Sequence, residues 1–271
     1  MTRGSLAHIL FWLVLIAFWV GSMWLVSKMS RKWQNVMFVL CALACSGLIF
    51  FACGMGFKID GKVNWRSLIM AHLQVCNFNF TLVWLTLIPK LEIARQYSVF
   101  FSMYAASTTL FALQNEWAEL NWHDPRILGS LGYHALVVTL CLWMIAARRL
   151  KPRKEYIWKV TGCVFAYFTI AAIIITVLMQ KGIITDPAPK YSFIYHTLNI
   201  GVLDWLYSLV PYPYFYLWTL IPPMIGFYYL LAYLFRNYEV KPYWEGKKAR
   251  VAESASDATE ETTQEAPNET Q

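Results

Sequence analysis

Seven apolar stretches, each of about 20 residues, set the main constraint on this chain. A helix of that length crosses the roughly 30 Å hydrocarbon core of a bilayer. Charged residues make up 14% of the 271-residue sequence, against about 25% in soluble domains. We therefore predict an all-α, polytopic membrane helix bundle with seven transmembrane helices. The predicted spans lie near 7–27, 35–57, 67–89, 96–115, 128–147, 157–179 and 214–235.

The distribution of lysine and arginine predicts how these helices are oriented. Connections 28–34, 90–95 and 148–159, with the segment after residue 235, hold 16 basic residues, and the opposite side holds 7. The positive-inside rule then places the N-terminus outside and the C-terminus in the cytoplasm. The net charge of +7 is thus explained by membrane anchoring, and we expect membrane lipids, not nucleic acid, as partners.

The sequence divides into a transmembrane domain over residues 1–240 and a cytoplasmic tail over 241–271. The outside connection 180–213 is long, apolar and aromatic, which favours an interfacial or re-entrant cap over a free loop. From residue 253 to the end the tail has six acidic residues and no basic ones. It lacks the apolar residues of a core, so we expect disorder from about residue 252.

The third predicted span carries an unusual number of polar side chains. His72, Gln74, Cys76, Asn77 and Asn79 fall within eight residues of the apolar stretch 70–89. Such groups are costly against lipid, so we expect them to face the bundle interior. On one continuous helix, His72, Cys76 and Asn79 would share a face, by i to i+4 and i to i+3 spacing.

Other polar residues are predicted to gather at the same depth. His134 lies six residues into the fifth span, about 9 Å from its outer end, and Cys76 about 13 Å from that of the third. Gln114 ends the fourth span on the outside, and Asn199 belongs to the outer connection. These placements predict a polar pocket in the outer half of the bilayer.

A cysteine beside a histidine suggests nucleophilic chemistry. A thiolate attacks acyl esters, and an imidazole is a suitable base near neutral pH. Gln74, Asn79 and Gln114 could donate hydrogen bonds to the oxyanion. The alternative for Cys76 is a small apolar core residue, and for His134 a single interhelical hydrogen bond. No set of residues has metal-ligand spacing, so we expect neither a metal nor a cofactor.

Four short motifs carry a resemblance to a known family. The motifs are HLQVCNF in the third predicted span, FALQNEW at the end of the fourth, GYHALVVT in the fifth and VPYPYFY entering the seventh. In order and placement they resemble the YwaF family of bacterial integral membrane proteins, over roughly residues 35–235. That family is related to the eukaryotic transmembrane protein 164 acyltransferases, and more widely to androgen-induced hydrolases of fatty-acid esters that use a Thr–His pair.

The resemblance implies a site, a reaction class and a location. The acyltransferases act on phospholipids through a Cys and a His, which correspond here to Cys76 and His134. A multi-pass protein of the bacterial plasma membrane is then expected. Two positions depart from the family pattern: Gln74 stands where many relatives have His, and 210–214 reads Val-Pro-Tyr-Pro-Tyr where relatives have Gly-Pro-Trp-Pro-Trp.

Two functions follow from these observations. The first is a lipid acyltransferase or acyl-ester hydrolase with Cys76 as nucleophile and His134 as general base. His72, Gln74, Asn79, Gln114 and Asn199 would bind substrate or support the site. The second is a non-enzymatic transporter or accessory protein for lipids or small solutes that uses the same polar pocket.

Overall fold

The computed structural model describes residues 6–53, 58–59, 62–63, 72–112, 125–183, 194 and 201–240. Two of the predicted site residues, Gln114 and Asn199, lie outside this part of the chain, as does the predicted tail 241–271. The described chain is helical apart from a two-residue antiparallel hairpin, in which Lys58 pairs with Val63 and Ile59 with Lys62. The prediction of an all-helical architecture is therefore confirmed at this level.

The described residues form nine α-helices, one π-helical turn and two 3-10 turns. They are α1 (Leu6–Lys28), α2 (Arg31–Cys53), α3 (Val75–Leu87), α4 (Glu92–Tyr97), a π-helical turn (Ser98–Ser102), α5 (Met103–Ala112), α6 (Pro125–Ala146), a 3-10 turn (Lys154–Tyr156), α7 (Ile157–Gln180), α8 (Gly201–Leu209), a second 3-10 turn (Phe215–Leu220) and α9 (Ile221–Leu234). The hairpin strands, β1 (Lys58–Ile59) and β2 (Lys62–Val63), lie between α2 and α3.

Five of these helical segments are long and apolar enough to cross a membrane. They are 9–28, 31–50, 128–146, 154–180 and 215–234, which correspond to the first, second, fifth, sixth and seventh predicted spans. Their outward surfaces are apolar: Leu13, Val14, Ile170 and Ile173 are among many exposed large hydrophobic side chains. Exposed apolar area on this scale fits a lipid environment.

The third predicted span is a shorter helix than expected. Within the described residues, α3 has 13 residues and begins at Val75, where the prediction was one helix over 67–89. The backbone of Gln74 is extended, with φ −89° and ψ 120°, and Leu73 is in a turn. Because the chain changes direction here, Cys76 occupies the first turn of α3 instead of a position two turns inside a longer helix.

The fourth predicted span, 96–115, is built from three joined segments. Helix α4, the π-helical turn and α5 run without a break from Glu92 to Ala112. In the wide turn the amide of Met103 donates to the carbonyl oxygen of Ser98, five residues earlier. Such turns inside α-helices shift the side chains that follow and often occur at functional sites.

Helices α2 and α6 pack closely along their length. The thiol of Cys41 donates to the carbonyl oxygen of Leu136 at 3.6 Å, and that of Cys45 lies 3.9 Å from the carbonyl oxygen of Tyr133. Both cysteines are buried. Small residues at such positions allow membrane helices to approach closely, so these two cysteines act as packing residues.

The predicted basic connections meet at one end of the bundle. The guanidinium of Arg149, after α6, donates to Asn35 Oδ1 at the start of α2, 3.1 Å away. Arg95 of α4 donates to the carbonyl oxygen of Arg149. Lys151 Nζ donates to the carbonyl oxygen of Arg236, after α9, at 2.7 Å. We refer to this region as the basic end of the bundle.

Replacing Gly132 with leucine is predicted to destabilise the α2–α6 contact. A Cβ at residue 132 would lie 2.8 Å from Cδ1 of Leu48, which is the end of a flexible side chain. The remaining atoms of a leucine would add to this overlap, and overpacking of a helix contact typically costs about 1–3 kcal/mol. Thermal unfolding in detergent should therefore occur at a lower temperature. Gly162→Leu is the matched control, because nothing lies within 4 Å of a Cβ there. Equal melting temperatures for both variants would contradict this packing.

Candidate functional site

Three polar residues of α3 are buried inside the bundle. Cys76, Asn77 and Asn79 are all less than a tenth exposed, as expected for polar side chains in an apolar helix. The amide of Asn77 donates from Nδ2 to Gln74 Oε1 at 3.2 Å. The side chain of Gln74 thus holds the side chain of Asn77, while its backbone carbonyl oxygen accepts from the backbone amides of Asn77 and Phe78, at 2.9 and 3.2 Å, and so begins α3.

His72 does not share the helix face predicted for it. It precedes the change of direction at Leu73 and Gln74, so the expected i to i+4 relation with Cys76 is wrong. Its Nε2 lies 3.2 Å from Thr81 Oγ1. Its carbonyl oxygen accepts a 2.8 Å hydrogen bond from the hydroxyl of Tyr167 on α7. His72 is therefore placed at the junction before α3, half-buried.

His134 lies in the interior of the bundle, and only one of its two ring nitrogens makes a hydrogen bond to the described residues. Its side chain is 2% exposed, and Nδ1 lies 2.8 Å from the carbonyl oxygen of Ser130. Since a carbonyl oxygen only accepts, Nδ1 carries the proton and Nε2 presents a lone pair. Among the described residues Nε2 has no hydrogen-bond partner. The thiol of Cys76 is thus not hydrogen-bonded to it in this structure.

Ser98 contacts both α3 and α6, so it is a common reference point for comparing how deep Cys76 and His134 lie in the bundle. Its hydroxyl contacts Thr86 Oγ1 of α3, and its carbonyl oxygen accepts from Cys141 Sγ of α6 at 3.4 Å. Cys76 lies ten residues before Thr86, about 15 Å along the helix, and His134 lies seven before Cys141, about 10 Å. Both helices run towards the basic end, so the two residues differ in depth by less than one turn.

Asn79 on α3 and His134 on α6 lie on helix faces that point towards the same neighbouring segment. Asn79 lies seven residues before Thr86, and His134 seven before Cys141, so each shares a face with a residue that contacts Ser98. Ser98 is the first residue of the π-helical turn between α4 and α5. Asn79 and His134 consequently face the α4–α5 segment.

Sequence reasoning missed three polar residues of this interior. Thr86, Ser98 and Ser102 are all buried, and the first two are in contact with each other. The spacing of seven between Asn79 and Thr86 was the available signal, since it places both on one helical face. A hydroxyl in an apolar helix is a weak signal, because many such groups bond only to the backbone of their own helix. Thr86 makes a bond of that kind as well, to the carbonyl oxygen of Leu82 at 2.7 Å, in addition to its contact with Ser98.

The motif VPYPYFY adopts a strained backbone. Tyr214 has φ 69° and ψ −50°, a region that costs a non-glycine residue about 1–3 kcal/mol. The amide of Phe215 donates to the carbonyl oxygen of Pro213 at 2.8 Å, which closes a γ-turn around Tyr214. The hydroxyl of Tyr214 lies 2.6 Å from Thr169 Oγ1 of α7. This contact and the amide of Tyr214, which donates to the carbonyl oxygen of Ile194, hold the turn in place.

Helix α7 joins the two motif segments. Its Tyr167 contacts the carbonyl oxygen of His72, and its Thr169 contacts the hydroxyl of Tyr214. Leu73 is buried in a second apolar cluster with Tyr216, Leu206 and Ile175, and Cys76 in the main one. The junction before α3 therefore spans both clusters, and α7 fixes its position.

Comparisons with family models, curated proteins and solved structures found no match to this chain. The resemblance to the YwaF family therefore stays a prediction based on the four motifs. Among the described residues, no group of three His, Cys, Asp or Glu side chains is arranged to hold a metal ion.

Removing the hydroxyl of Tyr167 is predicted to loosen the junction before α3. Tyr167→Phe deletes the 2.8 Å hydrogen bond to the carbonyl oxygen of His72, and a bond of this type contributes about 1 kcal/mol. The melting temperature in detergent should fall. Tyr212→Phe is the matched control, because Tyr212 is 65% exposed. A fall of the same size in both variants would contradict a specific role for Tyr167.

Proposed function

We propose that this protein is a membrane enzyme that transfers or hydrolyses lipid acyl groups, with Cys76 as nucleophile and His134 as general base. The observation that carries the proposal is the buried lone pair of His134 Nε2, which has no partner among the described residues. A polar atom without a partner in an apolar interior is costly. Such an arrangement is explained if the atom receives a proton during a reaction.

The proposed reaction has two steps. In the first, Cys76 Sγ attacks the ester carbonyl, and its proton passes to His134 Nε2. The carbon–oxygen bond then breaks, and the departing alcohol takes that proton, which leaves a thioester on Cys76. In the second, an alcohol or water gives its proton to His134 and attacks the thioester. The new ester or acid forms, and the thiolate recovers the proton.

The position of Cys76 favours this role. It lies in the first turn of α3, where the partial positive charge of a helix N-terminus stabilises an anion. Cys76 and His134 must approach hydrogen-bond distance for proton transfer, and catalytic pairs often do so only with substrate bound. The change of direction at Gln74 gives the start of α3 a place at which to adjust.

Polar support for the reaction is assigned to several residues. Asn79, buried on the face towards the α4–α5 segment, and Gln74 are candidates for stabilising the oxyanion. His72, Gln114 and Asn199 complete the predicted set, and the last two lie outside the described residues. The resemblance of the four motifs to phospholipid acyltransferases supports a lipid ester as substrate.

We also propose the full topology predicted from the sequence. In it, the predicted spans 67–89 and 96–115 add two to the five long helices, which makes seven. The N-terminus lies outside, and the basic end faces the cytoplasm of a bacterial plasma membrane. The shared location of the basic connections at one end of the bundle supports this arrangement.

Substituting Cys76 or His134 with alanine is predicted to abolish acyl turnover. Loss of a positioned base lowers rates by about 100-fold or more, and loss of the nucleophile prevents thioester formation. Wild type and both variants would be expressed in one lipid background, and acyl chains followed by mass spectrometry. Cys163→Ala is the matched control, because Cys163 is exposed on α7 and should leave the acyl profile at the wild-type level.

Intact-protein mass spectrometry gives a second measure of this reaction. An acyl adduct on wild type that Cys76→Ala lacks would identify the thioester. Equal acyl profiles in wild type and both alanine variants would refute the enzymatic proposal. Solute or lipid movement across vesicles that is kept in both variants would instead support the transporter alternative, for which the buried polar residues Thr86, Ser98 and Ser102 are the structural argument.

Reporter fusions are predicted to show the proposed sides of the membrane. A reporter that is active only in the cytoplasm should function when fused after residue 151 or residue 31. The same reporter fused after residue 62, in the hairpin, should be inactive, and a periplasmic reporter should show the reverse pattern. Activity of the cytoplasmic reporter at residue 62 would contradict the topology.

A further inference from the structure

A large cavity lies at the basic end of the bundle, far from Cys76 and His134. Its volume is about 1540 Å³, and it is bounded by the start of α2, by the whole of the 151–156 connection and by the ends of α3, α6 and α9. Phe38, Leu87 and Met144 form apolar walls. A space of this size is ample for a lipid headgroup and the first part of its acyl chains.

Positive charge dominates the lining of this cavity. Among the described residues, six basic side chains and two acidic ones, Glu155 and Glu239, line it. Glu92 adds one further carboxylate, which is shared by two guanidinium groups at 3.2 and 3.9 Å. A surplus of positive charge remains after these pairings. The basic residues are Arg95, Arg149, Lys151, Arg153, Lys154 and Arg236.

Arg95 distinguishes this cavity from an ordinary basic membrane surface. Its side chain is only 12% exposed, whereas anchoring residues extend into water or headgroups. Its Nη1 bonds to Glu92 at 3.2 Å and its Nη2 to the carbonyl oxygen of Arg149. The Nε–H is buried and has no acceptor among the described residues. Burial lowers the pKa of this guanidinium, and Glu92 opposes that shift.

We propose that this cavity binds a phosphate group, presented by the headgroup of an anionic phospholipid or by a free phosphate ester. The phosphate oxygens supply acceptors to Arg95 Nε and to the guanidinium groups at the cavity entrance, and such charge-assisted bonds are among the strong ones. The apolar walls accommodate the acyl chains when the source is a lipid. Neither Cys76 nor His134 lines this cavity, so phosphate binding here does not depend on the proposed enzymatic reaction.

Binding would be measured on the delipidated full-length protein in detergent. Native mass spectrometry would follow titrations with phosphatidylglycerol and, as a zwitterionic comparison, with phosphatidylcholine. Thermal-shift titrations with inorganic phosphate and glycerol 3-phosphate would test the free-phosphate source. Preference for phosphatidylglycerol without a response to either free ion identifies the lipid headgroup. Stabilisation by the free ions alone identifies a phosphate ester.

Matched double variants separate a specific site from general attraction. Arg153→Gln with Arg236→Gln removes two charges from the exposed rim of the cavity, where substitution leaves the core intact. Lys32→Gln with Lys159→Gln removes two exposed charges outside the cavity lining. The rim variant should bind at least about tenfold more weakly, as expected for two basic residues acting on an anionic headgroup. The control should change by less than about twofold.

Arg95→Lys tests the deep part of the cavity. It keeps the positive charge and removes the Nε–H, so binding should weaken by about tenfold when the variant melts within a few degrees of wild type. Wild-type affinity in the rim double variant would overturn the proposal. An equal loss in the rim and control double variants would overturn it too, because attraction to the whole basic surface would then explain the binding.

Discussion

The close packing of α2 on α6 is the interaction on which the rest of the bundle depends. Cys41 and Cys45 of α2 pack against the backbone of α6, and their thiols point to its carbonyl oxygens. In lipid, apolar side chains gain little from leaving the solvent, so close backbone approach and interhelical hydrogen bonds hold helices together. With α6 fixed, its opposite positions, His134 and Cys141, are presented to α3 and to the α4–α5 segment.

Ser98 is where three helices meet. Through its hydroxyl it contacts Thr86, and through its carbonyl oxygen it accepts from Cys141 and from the amide of Met103. The π-helical turn makes this possible, because the wider turn shifts the side chains that follow it. The polar interior of the bundle is therefore built on an irregular backbone segment that is held by its neighbours, as irregular backbone in a membrane must be.

Polar chemistry in this protein is divided between two places. The first surrounds His134 and Cys76 in one half of the bundle, where the polar groups are buried. The second is the cavity at the basic end, where guanidinium groups surround Glu92 and the surplus charge faces inward. Separation by most of the bundle length keeps strong charges away from the apolar interior, where an unpaired ion would be costly.

The sequence by itself determined the helical architecture, five of the segments that are long and apolar enough to cross a membrane, and the burial of Cys76, Asn77 and Asn79. It could do so because hydrophobicity and the cost of polar groups in lipid act locally. The tertiary structure decided where α3 begins. The chain turns at Leu73 and Gln74 because Leu73 packs in one apolar cluster while Cys76 packs in another, and Tyr167 binds the carbonyl oxygen of His72 between them.

The roles of Thr86, Ser98 and Arg95 likewise depend on partners 12 or more residues distant, which local sequence pattern does not specify.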